Sequence, residues 1–554
     1  MRYFFCLLIV FNGFHAMAQQ VPVLERTVIL TAQDERLDSF LKRLSHEAGC
    51  VFSYSASALD VQRSVTYQFN NETTREILET VFDGQVRIKQ KGVYVILTPL
   101  PKSSREVVIS GYVVDEASGK KVESATVYNP VTLRSVTTDQ YGYFEYVVKK
   151  PTPDDYKLVI KKVDYADTVV LAQQKRSSFQ KISIEIDKEK LSNVGESIAR
   201  PAAKVWTWTK NSVASINLGN VRDTIHRTWQ VSFVPFVGTN RKLSGSVTND
   251  WSFNILGGYS AGTNKAEFGG VFNINTGNVK SFQAAGVFNL NGGETNGVQL
   301  GGLFNLNLQS ASGVQAAGFT NLIIRDAHGA QLAGFLNLAA NHTEGAQVAG
   351  FANISKSITG TQVAGFVNIA KHVNGSQIGF LNIADSIRGV PVGFLSFVAK
   401  GYHTLELGAD EVIPVNISFR TGVRAFYNII SVGMRPEQSD SVTWSFGYGV
   451  GTSPRIFKKL YLNIEATANQ VNKGNVEALN LVNRVYTGLD FQVARKFALY
   501  AGPTLSIRVY DTTFNNHPVL FTYYTPTIQS ERTYPQHDLA TQVWWGFRAG
   551  IRFF

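Results

Sequence analysis

The sequence predicts a mainly β protein. A small α/β N-terminal domain and a β-sandwich domain come first, then a large antiparallel β-barrel of about 16–18 strands, with β-solenoid repeats as the alternative. Three observations carry this. Residues recur at a period of 15 or 16, glycine is frequent at 47 of 554 residues, and charged residues fall to 17% beside 12% aromatic. Beyond the N-terminus no apolar stretch is long enough for the roughly 20 residues of a helical span, so a membrane-embedded form would have to be a closed barrel.

The chain opens on Met1-Arg2 and an apolar run from Tyr3 to Phe14, followed by Ala16-Met17-Ala18. A basic start, a short apolar core and a small-x-small pair are the grammar of a cleaved secretory signal, expected here over 1–18. Two cysteines exclude a disulfide scaffold, since Cys6 lies inside this segment and leaves Cys50 alone. The net charge of +11 is spread along the chain and its densest basic run is broken by Asp154-Asp155, which argues against nucleic acid as a partner.

Residues 25–99 alternate strands with two short amphipathic helices. In the stretch Asp34 to Leu44, Leu37, Phe40, Leu41 and Leu44 share a helical face. The second helix is expected over Thr74 to Phe82, capped by Thr73 or Thr74 and closed by Gly84, before a hairpin of Val86-Arg87-Ile88-Lys89 with Val93-Tyr94-Val95-Ile96. With Val51-Phe52-Ser53-Tyr54 between the helices, this order resembles the short N-terminal (STN) domain of secretins and TonB-dependent transducers. The resemblance implies a periplasmic module that contacts a protein partner.

After a linker at Pro99-Leu100-Pro101 comes a second module over 106–187. Val108-Ile109-Ser110-Gly111-Tyr112-Val113-Val114-Asp115, Ala125-Thr126-Val127 and Asp139-Gln140-Tyr141-Gly142-Tyr143-Phe144 resemble the carboxypeptidase regulatory-like domain, a transthyretin-like β-sandwich with a carbohydrate-binding-like fold. The resemblance carries no peptidase activity. Gly111 and Gly119 are expected in turns, and Asp115 and Asp139 as turn-capping carboxylates in preference to calcium ligands. Residues 188–225 are expected to link this module to a barrel over 226–554.

The repeat dominates the rest. Gln283, Gln299, Gln315, Gln331, Gln347, Gln362 and Gln377 form one series, and Asn273, Asn289, Asn305, Asn321, Asn337, Asn353, Asn368 and Asn382 another. In a barrel each unit over 264–399 is one strand of about 9–11 residues plus a turn, with Val348 and Ile354 on a wholly apolar face and Gln347, Phe351 and Asn353 on the opposite one. Pairing Gly334 with Gly350 across a hairpin would set Gln331 opposite Asn353, amide against amide. In a parallel solenoid each unit is one coil, and identical residues stack. The steps from Gln377 to Asn382 and from Pro391 to Ser396 are one residue shorter, which predicts a matched kink.

From Val415 the repeat stops but strand-like segments continue, Ser418 to Tyr427 the first of them, to an alternating end, Val543 to Phe554. This end resembles the C-terminal strand of gram-negative outer-membrane barrels, whose terminal Phe, here Phe554, is read by the barrel assembly machinery. No plug domain fits between Lys188 and Trp229, and no TonB box is present.

No chemistry of catalysis is read from the chain, so no enzyme activity, cofactor or metal site is expected. Gly258-Tyr259-Ser260-Ala261-Gly262 has the spacing of a nucleophile elbow without a following helix, and reads as a hairpin turn. Gly447-Tyr448-Gly449-Val450-Gly451 reads as a small-residue strand. His46, His328, His342 and His372 lack ligand spacing. The expected function is an outer-membrane barrel acting as channel, receptor component or envelope scaffold in the gram-negative outer membrane, with its N-terminal modules in the periplasm. Its expected partners are membrane lipid, the assembly machinery, a periplasmic protein through 25–99, and a glycan or small solute held by planar amides and Phe. The alternative is a surface or periplasmic solenoid used for binding or adhesion.

Overall fold

A computed structural model describes residues 21–100, 106–187, 212–437 and 442–554. The expected signal segment and most of the linker at 188–225 lie outside these residues. The chain divides into two compact units.

The N-terminal unit begins with β1 (Thr27–Arg36), α1 (Leu37–Ala48), β2 (Val51–Ser53), β3 (Ser64–Thr73), α2 (Thr74–Phe82), β4 (Val86–Lys91) and β5 (Tyr94–Pro99). β1 pairs with β3, and β2, β5 and β4 form a second sheet. Leu37, Phe40, Leu41 and Leu44 of α1 and Ile77, Leu78 and Val81 of α2 are buried in one core with Cys50. The first helix starts three residues later than its pattern suggests. Asp34 takes a positive φ of 45°, and β1 changes register against β3 between Ala32 and Glu35, so the strand continues to Arg36. At α2, Thr73 and Glu76 form a reciprocal capping box.

The sandwich follows as β6 (Val107–Asp115), β7 (Thr126–Tyr128), β8 (Ser135–Thr137), β9 (Tyr143–Val148), β10 (Lys157–Lys161), β11 (Thr168–Leu171) and β12 (Ser177–Ile184). Sheet β12-β6-β9 faces sheet β11-β10-β7-β8 across a core that includes Val113, Val127, Phe144 and Ile160. Gly111 is no turn residue. It sits inside β6, where a Cβ would lie 1.8 Å from the Gln180 carbonyl oxygen of the parallel neighbour β12. Helix α3 (Val213–Asn220) is sewn to this sandwich by Asn217, which accepts from Thr126 Oγ1 at 3.0 Å and donates to Ser135 Oγ at 2.8 Å.

In the second unit, both architectures that the sequence allows are present, each on its own segment. Residues 225–398 form a parallel solenoid, and 402–553 form a closed antiparallel barrel. The solenoid starts earlier than the recognisable repeat: Ile225–Val234 pairs in parallel with Val247–Asn254, setting Trp229 beside Trp251. From there each coil stacks on the last, Gln331 on Gln347 and Asn337 on Asn353. The hairpin register of Gln331 against Asn353 is therefore overturned, and with it the count of 16–18 barrel strands.

The physical reason lies at the glycine of each unit. A 9–11-residue strand would need unbroken alternation, but residues 350–351 are a bend between Leu336–Ala349 and Ala352–Ala364. The bend interrupts the alternation, so Phe351 points out while Gln347 and Asn353 both point in. A second glycine series closes the coil. Gly345 has φ 125° and its missing Cβ would lie 2.1 Å from the Gly329 carbonyl oxygen, so coils stack only where this column is bare. The two short steps stack on each other, Gln377 on Pro391 and Asn382 on Ser396.

The barrel has eight strands: Tyr402–Ala409, Val415–Val423, Phe426–Arg435, Thr443–Thr452, Leu460–Lys473, Asn480–Ala494, Phe497–Asp511 and Leu539–Phe553. The first and last pair antiparallel and close it. At one end lie the tight turns 424–425 and 495–496 and Phe554; the other carries the longest connection, 512–538. The sequence segment Ser418 to Tyr427, read as one strand, spans one of those turns.

Candidate functional site

Inside the solenoid, ladders of amides run beside small apolar clusters such as Ala311, Ile323, Ala327 and Ala339. The glutamines donate toward the N-terminal coils, as in Gln299 Nε2 to Gln283 Oε1 at 3.0 Å and Gln347 Nε2 to Gln331 Oε1 at 2.7 Å. The asparagines donate the other way, as in Asn289 Nδ2 to Asn305 Oδ1 at 2.9 Å and Asn337 Nδ2 to Asn353 Oδ1 at 3.0 Å. All these side chains are buried and pair from coil to coil, so the interior satisfies itself. Both ends are chemically distinct. Glu267 takes the position before Gln283 and accepts from Gln283, Asn275 and Asn254. At the far end Pro391 follows Gln377, whose Oε1 has no partner, and the asparagine series passes through Ser396 to the barrel residue Asn428.

Outside, the same coils are apolar. Phe319, Phe335, Phe351, Phe366, Phe380 and Phe394 stack in one exposed column at 4.8 to 5.6 Å between ring centres. The next ring in that column belongs to the barrel, with Tyr448 stacked on Phe394 at 4.6 Å.

The barrel repeats this inversion. Its outward side chains include Leu407, Phe419, Val432, Phe446, Leu489 and Phe547, all exposed. Three arginines and three carboxylates form one ion-paired cluster in its interior. Arg420 reaches Glu406 at 2.7 Å and Glu465 at 2.9 Å, while Arg552 reaches Glu406, Glu465 and Asp490 at 2.7, 3.0 and 3.2 Å. Arg548 joins Glu406 and Glu465. Tyr427, Tyr486 and Tyr500 fill the space around them, so side chains pack the lumen, as eight strands allow. Sequence reading missed this cluster. Its trace is the alternation Arg548-x-Gly550-x-Arg552 between Phe547, Ala549, Ile551 and Phe553, and Glu267 likewise stands 16 residues before Gln283.

Elsewhere the expected residues have structural partners. Ser260 of the Gly-x-Ser-x-Gly pattern is buried within a solenoid coil and bonds the Asn275 side chain, so the expected hairpin turn is replaced by a parallel coil. His342 and His372 meet Ser357 and Ser386 of the next coil at 2.8 and 2.9 Å. Asp115 accepts from Ser118, and Asp139 from Tyr141 and Tyr143, which caps their turns. Phe554 lies against Tyr402 at 5.9 Å.

Within the N-terminal unit the two modules share a buried polar joint. Glu25 accepts from Tyr112 Oη at 2.7 Å and from Arg75 Nε at 3.1 Å, and the Arg75 guanidinium covers the Tyr143 ring at 3.8 Å. Burial pushes the Tyr143 hydroxyl up to about 12 and the Glu79 carboxyl beside it up to about 7.

Residues 109–195 match the family model of the CarboxypepD_reg-like domain. No curated protein and no solved structure matches the chain.

Proposed function

We propose that this chain is an outer-membrane protein, held in the bilayer by its eight-strand barrel, that serves as an envelope scaffold or receptor component. One observation carries the reading: the barrel is apolar outside and ion-paired inside, the reverse of a soluble core. Closure satisfies every strand edge, which a lipid environment demands. The packed lumen favours anchorage over a channel. The order of elements over 25–99 supports the STN-like reading, and with the CarboxypepD_reg-like domain it suits a pair of periplasmic modules that bind a protein partner.

The test is extraction and gel mobility of the full chain. Retention in membranes after alkaline washing, with faster migration before boiling than after, is expected. Release by alkali as a soluble β-rich protein would overturn the anchor.

A second reading, capture of a glycan or small solute, is favoured by a groove of about 520 Å³ on the first coils, lined by Thr224, His226, Thr248, Asn264, Asn278 and Lys280. Hydroxyl, amide and ammonium groups suit sugar hydroxyls. Equilibrium dialysis of the full chain against an oligosaccharide panel, beside Lys280→Ala, tests it.

A further inference from the structure

The solenoid presents an exposed apolar flank whose extent and level follow from its sequence. Every Asp, Glu, Lys and Arg between residues 270 and 400 falls on one edge of the coils: Lys280, Glu294, Arg325, Asp326, Glu344, Lys356, Lys371, Asp385, Arg388 and Lys400. The segments from each Gln to the residue after each Asn, such as 331–338 and 347–354, carry none. On these segments Leu332, Phe335, Val348, Phe351, Ile378, Phe380, Val392 and Phe394 stand outward, Phe394 with 51% of its surface exposed. A soluble solenoid hides such side chains inside and shows its amides; here the arrangement is inverted along the stack.

The barrel fixes where this flank lies. The charged edge runs to Lys400, which leads through Gly401 into Tyr402 at the tight-turn end of the barrel, and Val423 beside that turn packs on the cluster of Ile358, Val373 and Val398. Away from that edge, Asn428 on the outer barrel wall donates to the Gly393 carbonyl oxygen and accepts from the Ser396 amide, both at 2.8 Å. Deeper still, Phe394 stacks on Tyr448, four residues before the strand ends at Thr452. At about 3.3 Å per residue that is ~13 Å along the wall. The apolar part of a coil, from Gln347 to its bend at Phe351, also covers four residues and ~13 Å. Half of a hydrocarbon core about 30 Å thick is ~15 Å. The coils are as deep as one leaflet, begin at the edge of the barrel and stop near its mid-wall.

We infer that the apolar flank of the solenoid is embedded in the lipid leaflet adjoining the tight-turn end of the barrel, its Phe column among acyl chains and its charged edge in water. The inference rests on the barrel being membrane-embedded and goes beyond it, because it assigns a second lipid-binding surface. Parallel pairing continues through the bends, where the Gly350, Phe351 and Ala352 amides donate to carbonyl oxygens of Ala333 and Phe335, and the amide ladders keep polar side chains off the lipid face, which lowers the usual cost of irregular structure at membrane depth. The stacked rings from Phe319 to Phe394 extend this surface five coils, about 24 Å, from the barrel wall at ~4.8 Å per coil.

The experiment places an environment-sensitive fluorophore on single cysteines of the full chain in a Cys6→Ala, Cys50→Ala background, reconstituted in phosphatidylethanolamine/phosphatidylglycerol vesicles. The sites are Phe351→Cys in the column, Lys356→Cys on the charged edge, and Val432→Cys on the outer barrel wall. Spin-labelled lipids carrying the nitroxide deep in the acyl chain, and iodide in the water, serve as quenchers. Expected is several-fold stronger lipid quenching at 351 than at 356, with the reverse order for iodide, and lipid quenching at 432. Lipid quenching at 432 with iodide access at 351 would overturn the embedded flank and leave the barrel reading standing. Shielding of 351 from both quenchers, with cross-linking between copies, would overturn it in favour of self-association. Iodide access at 351 and 432 alike would sink both readings.

Discussion

Gln283 donates from Nε2 to the Glu267 carboxylate at 2.9 Å, so the glutamine ladder starts on a side chain that accepts and has no amide hydrogen to give. Asn275 and Asn254 add two more donors at 2.6 and 3.2 Å. Glu267→Gln would turn an NH2 toward one of these donors and leave it unpaired in a buried site, at a cost of about 1–3 kcal/mol. The expected result is earlier loss of amide hydrogen-exchange protection in the first coils, with the barrel unchanged. Equal protection in the variant would show that the carboxylate does not set the ladder's direction.

Coil stacking gives a second outcome. At Gly345 a methyl group would meet the Gly329 carbonyl oxygen at 2.1 Å from a backbone with φ 125°, so Gly345→Ala is expected to cost more than about 3 kcal/mol. Gly92→Ala is the comparison: φ is 63° and nothing lies within 4 Å, so only the backbone preference of about 1 kcal/mol is lost. Limited proteolysis separates them, with cleavage inside 300–400 expected for Gly345→Ala alone.

Much of this was legible in the residues. The 15–16-residue step announced stacked or paired amides, and Thr73, Ile77 and Leu78 announced α2. What the sequence left open was whether Gln331 faces Asn353 or Gln347, because both pairings join amide to amide. Strand direction decides it, and direction turns on whether Gly350-Phe351 continues a strand towards a hairpin or bends within a coil, a choice set by the neighbouring coil and not by local preference. The barrel charges were hidden for a different reason. Glu406, Glu465 and Arg552 lie far apart in the chain, and only closure of eight strands brings them together. The inverted exterior was half visible, since the face holding Val348 and Ile354 was expected to be apolar, but Phe351 was expected opposite it.

Glu465 accepts from Arg420, Arg548, Arg552 and the Tyr427 hydroxyl inside the barrel. Glu465→Gln leaves three arginines facing Glu406 and Asp490, one buried positive charge without a counter-ion. Breaking a buried pair in this way costs about 3–5 kcal/mol. The temperature at which the compact form converts to the slower-migrating form on a gel is expected to fall sharply. Leu489→Ala, on the outward face, is expected to leave it nearly unchanged.

The last outcome concerns pH and the joint between the two N-terminal modules. Burial raises the Glu79 carboxyl from 4.5 to about 7, Arg75 opposes the rise and Glu145 adds to it. The folded unit therefore holds a proton that the unfolded chain releases between these two values. Bound protons favour the folded state where it binds more of them, so this contribution is full below about pH 4.5, declines as pH rises to about 7, and is absent above. Glu79→Gln mimics the protonated form and removes the dependence. In the wild-type chain the midpoint of N-terminal unfolding is expected to drop between pH 5 and 8 by an amount equivalent to about 1–2 kcal/mol. Glu79→Gln is expected to flatten that drop, and a parallel profile for the two proteins would show that Glu79 ionises as freely when folded as when unfolded.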